Sequence, residues 1–514
     1  MSATGQSATE NRARIRPVWG LAAAGGLVGC GSVASAVLGG RPEAADWMAR
    51  FWPFLVLALS VAVIVLLISV ARLHAFFALI LSAIAAGFMA LPGALPGEPG
   101  LSHWVAAVEQ TGAAFGVMAG KIGLVIALAS VIGMCLLESG AADRIVRRFL
   151  DIFGPKHAGL ALLLGTYVVS IPIFFDTVFL LLVPLARALR MRTGRDYMLY
   201  LMAICAAAAV THTMVIPHPG PAAAADTLRV DAGLSILVGL GTGLVPLACA
   251  WAFCRWVNRR MNIVPAEMPG VSAEDLRVLN DTPVERLPSL RAALLPIVLP
   301  LALIWLASAA ELAGGRCPAV VRTWTAFLGN RNVALLLGMG LAAGVLMRQR
   351  GLGLGALAGR MGPAVEIAGL IILITSAGGA FGAMLAQAGI GRAIETAVAG
   401  GSVNVVFLSW LVAMVIRVAQ GSVTTAMITA AAIMAPLAGP GLSVHPIYVF
   451  MAVGYGALFV SWMNDSGFWV ISRVGGLTER ETLTSWTAMT AVLSVTGLIM
   501  TVILSLLFPL TGGK

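Results

Sequence analysis

Apolar stretches of bilayer length recur along the chain with few charges inside them, and this restricts the fold more than any other feature. They lie at about 53–71, 73–92, 122–138, 197–216, 232–256, 291–311, 330–347, 363–386, 445–463 and 486–508. Each approaches the roughly 20 mostly apolar residues that a spanning helix needs. Charged residues occupy only 11% of the 514 positions, against about 25% in a soluble domain, too few to cover a soluble surface. The expectation is an all-α polytopic protein embedded in a lipid bilayer, with about 11 spans plus two hairpins, or about 14 to 15 apolar segments. Fifty-eight glycines fit this reading, because glycine lets membrane helices pack closely and break.

The chain divides into a polar tail, 1–17, an extra apolar segment and loop, 18–50, a first half, 51–256, a central cytoplasmic loop, 257–290, and a second half, 291–514. Residues 18–40 are rich in Ala and Gly, and Leu27-Val28-Gly29-Cys30 mimics a lipoprotein cleavage site. A small-residue transmembrane helix is the preferred reading, with retention of the segment left open. Residues 102–119 are less apolar, carry Glu109 and read as a partial or interfacial helix. The net charge of +10 fits Arg-rich cytoplasmic loops rather than nucleic-acid binding. The six scattered cysteines read as small buried residues.

Two apolar regions are interrupted. Residues 158–186 contain Pro172, Asp176 and Pro184 between basic flanks at Arg144–Lys156 and Arg187–Arg195. As one helix the region would run about 43 Å, too short for two crossings but enough for a re-entrant hairpin with its tip near Ser170–Asp176. Residues 404–437 repeat the plan around Arg417-Val-Ala-Gln-Gly-Ser-Val-Thr424. Irregular backbone at membrane depth survives only where it is buried or lines a polar cavity; two ordinary kinked helices are the plainer alternative.

The halves echo each other. Glu138-Ser139-Gly140 matches Gln387-Ala388-Gly389, Ser170 stands where Arg417 stands, and His218-Pro-Gly-Pro221 aligns with Asn464-Asp-Ser-Gly467. With the N-terminus and the loops 187–195 and 257–290 in the cytoplasm, 122–138 runs inward and 363–386 outward. The repeats are therefore expected to be inverted, as in secondary transporters.

Ionisable groups at membrane depth mark function by default. Arg417 offers a planar fork matched to a carboxylate; the plainer reading is a structural pair with Asp176 or Asp465. Asp176 is placed to bind substrate hydroxyls or carry a proton, since a buried carboxyl is costly to ionise. Asp465, Glu138 and His212 are the other proton-coupling candidates. His218 sits in backbone that Pro217 and Pro219 keep from helix. Gln420, Gly421, Ser422 and Thr424, with Asn464 and Ser466, supply neutral groups for a hydroxylated ligand. No phosphate loop, nucleophile elbow or zinc-spaced cluster is present in the sequence. No enzyme activity, catalytic residue, metal or cofactor is therefore expected.

These motifs resemble the gluconate permease family, the gluconate:proton symporters of the wider ion-transporter superfamily. The carrying residues are Leu137–Arg144, Ile171–Pro184, Thr211-His212 with Pro217–Pro221, Arg417–Thr424, and Asn464–Trp469 followed by Gly476–Thr478, in the family's order between about 50 and 508. The resemblance implies a multi-pass inner-membrane secondary transporter for sugar acids or related hydroxy acids. The chain departs from the family at Thr177-Val178, where a Val-Gly pair is usual, at Ile216, where a proline is usual, and at Val423-Thr424-Thr425, where Ala-Thr-Val is usual. These positions flank the expected site.

The resulting expectation is proton-coupled uptake of gluconate or a related sugar acid. Na⁺-coupled carboxylate or D-serine transport is the near alternative, and a passive channel or intramembrane enzyme the distant one. The partners are a small carboxylate, H⁺ or Na⁺, and lipid; a homodimer is left open.

Overall fold

A computed structural model describes residues 42–67, 71, 73–91, 94–95, 102–263, 284–313, 317–390, 393, 404–435, 444–463 and 465–509. The 1–17 tail, residues 18–41, most of the central loop and the candidate Asn464 lie outside the described residues. Among the described residues all regular structure is helical.

The first half contains α1 (Pro42–Val65), α2 (Ala75–Met89), α3 (His103–Glu138), α4 (Ala141–Phe153), α5 (Ala158–Val169), α6 (Phe175–Thr193), α7 (Tyr197–Met214), α8 (Pro219–Thr227) and α9 (Ala232–Arg260). The second contains α10 (Leu290–Ala313), α11 (Ala319–Leu328), α12 (Arg331–Arg350), α13 (Leu354–Gln387), α14 (Val405–Gln420), α15 (Val423–Met434), α16 (Pro446–Ala457), α17 (Ser466–Gly475), α18 (Glu479–Thr482) and α19 (Ala488–Leu507). A π-helical turn at Leu483–Thr487 joins the last two. Seven helices are long and apolar enough to cross a membrane, with six shorter apolar ones beside them, among the described residues.

Both interrupted regions are broken helices. In the first, α5 stops at Val169 and the chain runs through Ser170–Phe174 before α6 begins. In the second, Gly421 closes α14 with φ +78°, a backbone that glycine adopts without steric cost, and Ser422 caps α15 by accepting from Thr425 N–H. Two further breaks lie at Val215–His218, between α7 and α8, and at Leu458–Asp465, between α16 and α17.

Two expectations are corrected. Residues 102–119 are not a separate interfacial helix; they form the first half of α3, which runs unbroken for 36 residues. No proline interrupts it, and Gly112, Gly116 and Gly120 have open space around them, so nothing forces a stop before Ser139. The span placed at 445–463 is shorter, because α16 ends at Ala457. Beyond it Val460 takes φ +45°, an outlying conformation for a β-branched residue.

The long helices α3 and α13 pack on each other, and α13 also packs on α2 and α15. Both end in the same way, with a left-handed glycine, Gly140 at φ +76° and Gly389 at φ +89°. The small side chains of α7 allow near-complete burial, and α16 is buried along most of its length. The carbonyls ending α17 are satisfied from the other half: Tyr197 Oη donates to Gly475 O at 2.7 Å and Arg187 Nη2 to Val474 O at 2.9 Å. This fixes α17 against α6 and α7 and aims its N-terminus inward.

Candidate functional site

The breaks meet around one cavity of about 440 Å³. Its wall includes the first residues of four helices: Phe174–Asp176 at α6, Pro219 at α8, Ser422–Thr425 at α15 and Asp465–Gly467 at α17. His212 and Thr213 of α7, Ile371, Ile374 and Thr375 of α13, and Trp486 and Thr490 also line it. Helix N-termini present unpaired N–H groups and the positive end of the helix dipole. The starts of α6, α15 and α17 supply N–H groups around one space, while Pro219 has none to give, and together they make it favourable for an anion.

Arg417 lies in the last turn of α14, 1% exposed, at this wall. Its Nη2 donates to Asp465 Oδ2 at 2.6 Å. Asp465 is itself fixed: Oδ1 caps α17 by accepting from Gly467 N–H at 3.2 Å, and Oδ2 also accepts from Ser461 Oγ. Trp486 Nε1 donates to Ser461 Oγ at 2.6 Å, so three side chains, Asp465, Ser461 and Trp486, lock the guanidinium in place. Arg417 Nε and Nη1 have no hydrogen-bond partner among the described residues. Buried, unpartnered guanidinium N–H groups are costly, and an anionic acceptor such as a carboxylate in the cavity lowers that cost.

Asp176 sits in the first turn of α6 and opens to the cavity, and its carboxylate makes no hydrogen bond among the described residues. Gly421, Ser422, Thr424 and Ser466 also line the cavity. Ser422 Oγ accepts from Thr425 N–H and Thr425 Oγ1 at 3.3 and 3.0 Å, which leaves its own proton for a ligand. Gln420 ends α14, but its side chain lies outside the described atoms, as does Asn464.

The histidines divide. His212 lines the cavity, and its Nδ1 has no partner among the described residues. His218 is buried behind it, ring centroids 4.8 Å apart, and its Nε2 donates to Ser170 O at 2.8 Å. His218 therefore supports the wall of the cavity instead of forming it. Glu138 is not brought to the site. It ends α3 in an ion pair with Arg360 at 2.5 Å, and its backbone carbonyl accepts from Arg350 Nε at 2.9 Å. The proton-coupling expectation for Glu138 thus meets a tie between α3, α12 and α13, away from the cavity. Sequence reasoning missed Thr375, Thr490, Trp486 and Ser461, which sit in or beside ordinary-looking apolar runs.

The profile of the GntP family of permeases matches residues 52–507. The chain belongs to this family. A gluconate permease of Pseudomonas aeruginosa is 32% identical over 458 residues, 88% of this chain and 98% of that protein. The Gnt-II system L-idonate transporter of Escherichia coli is 28% identical, over 87% of this chain and 98% of its own length. The fold is shared with the YdaH transporter of Alcanivorax borkumensis, at TM-score 0.56 and 13% identity, over 85% of this chain and 98% of that one. This GntP family permease is therefore a multi-pass inner-membrane transporter and not an enzyme. Its broken helices are where transporters build substrate sites.

Proposed function

We propose that this permease takes up gluconate or a related sugar acid by secondary active transport, with a proton as the coupling ion. The observation that carries the reading is the pair of unpartnered donors of Arg417, Nε and Nη1, buried at the cavity wall. Such donors call for an anionic acceptor, and a carboxylate is one. Asp465 holds Nη2, so the guanidinium cannot swing away when the substrate leaves. Ser422, Thr424 and Ser466 stand where the hydroxyls of the same molecule would reach.

Asp176 is the proposed proton carrier. It is the acidic wall residue that no basic side chain pairs among the described residues, whereas Asp465 is committed to Arg417, Ser461 and the cap of α17. Protonation of Asp176 removes a negative charge from beside the incoming carboxylate, which couples the two loads electrostatically. The names of the relatives support a sugar acid as the substrate, and the two halves, read as inverted, support alternating access around this cavity.

The test is uptake of radiolabelled gluconate into proteoliposomes under an inward pH gradient, an inward Na⁺ gradient, or neither. Uphill accumulation driven by the pH gradient, lost in Asp176→Asn, is the expected result. Accumulation driven only by Na⁺ overturns proton coupling, and flux without accumulation overturns active transport.

A further inference from the structure

Threonine and serine hydroxyls in membrane helices usually bond back to a carbonyl one turn earlier. At the cavity wall, Thr213 Oγ1 donates to Ala209 O, Thr490 Oγ1 to Thr487 O, and Thr425 Oγ1 to Ser422 Oγ. Thr375 does not follow them. It lies in the middle of α13, fully buried at the wall, and its Oγ1 has no hydrogen-bond partner among the described residues. A buried hydroxyl left without a partner is costly.

The equivalent helix of the first half shows what packing alone selects. Setting the terminal glycines Gly389 and Gly140 in register places Thr375 opposite Ile126, which is buried in an apolar cluster with Ile122 and Ile428. The hydroxyl thus occurs only in the copy of the helix that faces the cavity. Ile371 and Ile374, beside Thr375, make the rest of the α13 face apolar.

We propose that Thr375 is a specificity-determining residue, whose hydroxyl binds a substrate hydroxyl and so selects polyhydroxylated acids over acids with an apolar tail. This deepens the sugar-acid reading above and rests on it. Arg417 holds the carboxylate from α14, and Thr375 reads the body of the molecule from α13. His212, with its own unpaired Nδ1 on α7, provides a further contact for the same polyol chain.

The experiment compares wild type, Thr375→Val and Thr375→Ser in proteoliposomes, with labelled gluconate as substrate and hexanoate as the deoxygenated competitor. Valine keeps the shape and removes the hydroxyl; serine keeps the hydroxyl. Thr375→Val is expected to raise KM for gluconate about five- to tenfold, the loss of one hydrogen bond, with maximal rate retained. It should strengthen inhibition by hexanoate, and Thr375→Ser should restore the wild-type KM. Without ligand, the unfolding midpoint of Thr375→Val should equal or exceed that of wild type, because the removed hydroxyl has no partner in the protein. An unchanged KM and unchanged hexanoate inhibition overturn the assignment, as does a lowered midpoint, which would make the hydroxyl a structural group. Wild-type protein that transports no sugar acid overturns the functional reading itself, a separate and recognisable outcome.

Discussion

Arg417 and Asp465 stand 48 residues apart in sequence and 2.6 Å apart in space, and the same interval separates Ser170 from His218, which meet at 2.8 Å. The second pair precedes the first by 247 positions at both members, 170 against 417 and 218 against 465. In each half, the residue capping the helix after a break, His218 at α8 and Asp465 at α17, reaches back to the end of a hairpin leg. One joint has been used twice with different chemistry. In the first half a histidine meets a backbone carbonyl and the joint is uncharged scaffolding. In the second it is an ion pair with spare donors, and there it lines the cavity.

Asp465→Asn removes the counter-ion of a guanidinium that is almost wholly buried. Loss of one member of a buried pair costs about 3–5 kcal/mol. The amide retains an oxygen for Gly467 N–H, which places the expected loss near 3 kcal/mol on that scale. Denaturation in detergent, followed by tryptophan fluorescence, should show it. A midpoint equal to wild type would mean that the pair contributes no net stability.

Arg417→Lys keeps a positive charge but not the fork. A lysine ammonium placed to satisfy Asp465 cannot also place fixed donors where Nε and Nη1 stand. Losing a charge-assisted contact of about 1.5–3 kcal/mol predicts a fall in uptake of about 10- to 100-fold, while the protein still inserts and purifies. Wild-type uptake by this variant would remove Arg417 as the carboxylate anchor.

The breaks were legible because each places a proline, a glycine or a charge where an apolar run has no use for one: Pro172 and Asp176, Arg417 and Gly421, Pro217 and Pro219. The correspondence of the halves was legible too, although the alignment set Asn464 opposite His218, one residue before the actual capping pair of His218 and Asp465. The choice of partner for Arg417 was not legible. Asp176 and Asp465 are equally acidic in sequence, and only the reach-back across the break joins Arg417 to Asp465. Glu138 looked like a membrane-depth acid because it ends an apolar helix, and the distant Arg360 that pairs with it carries no local signal. Thr375 was invisible for the opposite reason, since threonines in membrane helices are ordinary and only a missing back-bond at the cavity wall sets it apart.

Glu138→Gln should spare both substrate binding and coupling. The pair with Arg360 is half-exposed, with side chains 32% and 47% accessible, so its net contribution is about 1 kcal/mol or less. Proteoliposome uptake by this variant should keep the wild-type KM and the wild-type response to a pH gradient. Loss of the pH response with KM intact would restore Glu138 as a proton carrier.

Gly382 lies where α13 crosses α15, and a Cβ built there would overlap the Cβ of Ala432. That crossing sets the distance between two walls of the cavity, because α13 carries Thr375 and α15 begins at Ser422–Thr425. Gly382→Val must therefore push the helices apart or strain them, at about 1–3 kcal/mol, and should raise KM for the substrate by widening the cavity. Ala432→Gly in the same molecule removes the overlapping methyl. The double variant should recover part of both losses, which gives a positive coupling energy in a double-mutant cycle. Gly344 of α12 is the control, since nothing lies within 4 Å of an added Cβ; Gly344→Ala should match or exceed wild-type stability by up to about 1 kcal/mol. If Gly382→Val is as stable and as active as Gly344→Ala, the close crossing does not set the width of the cavity.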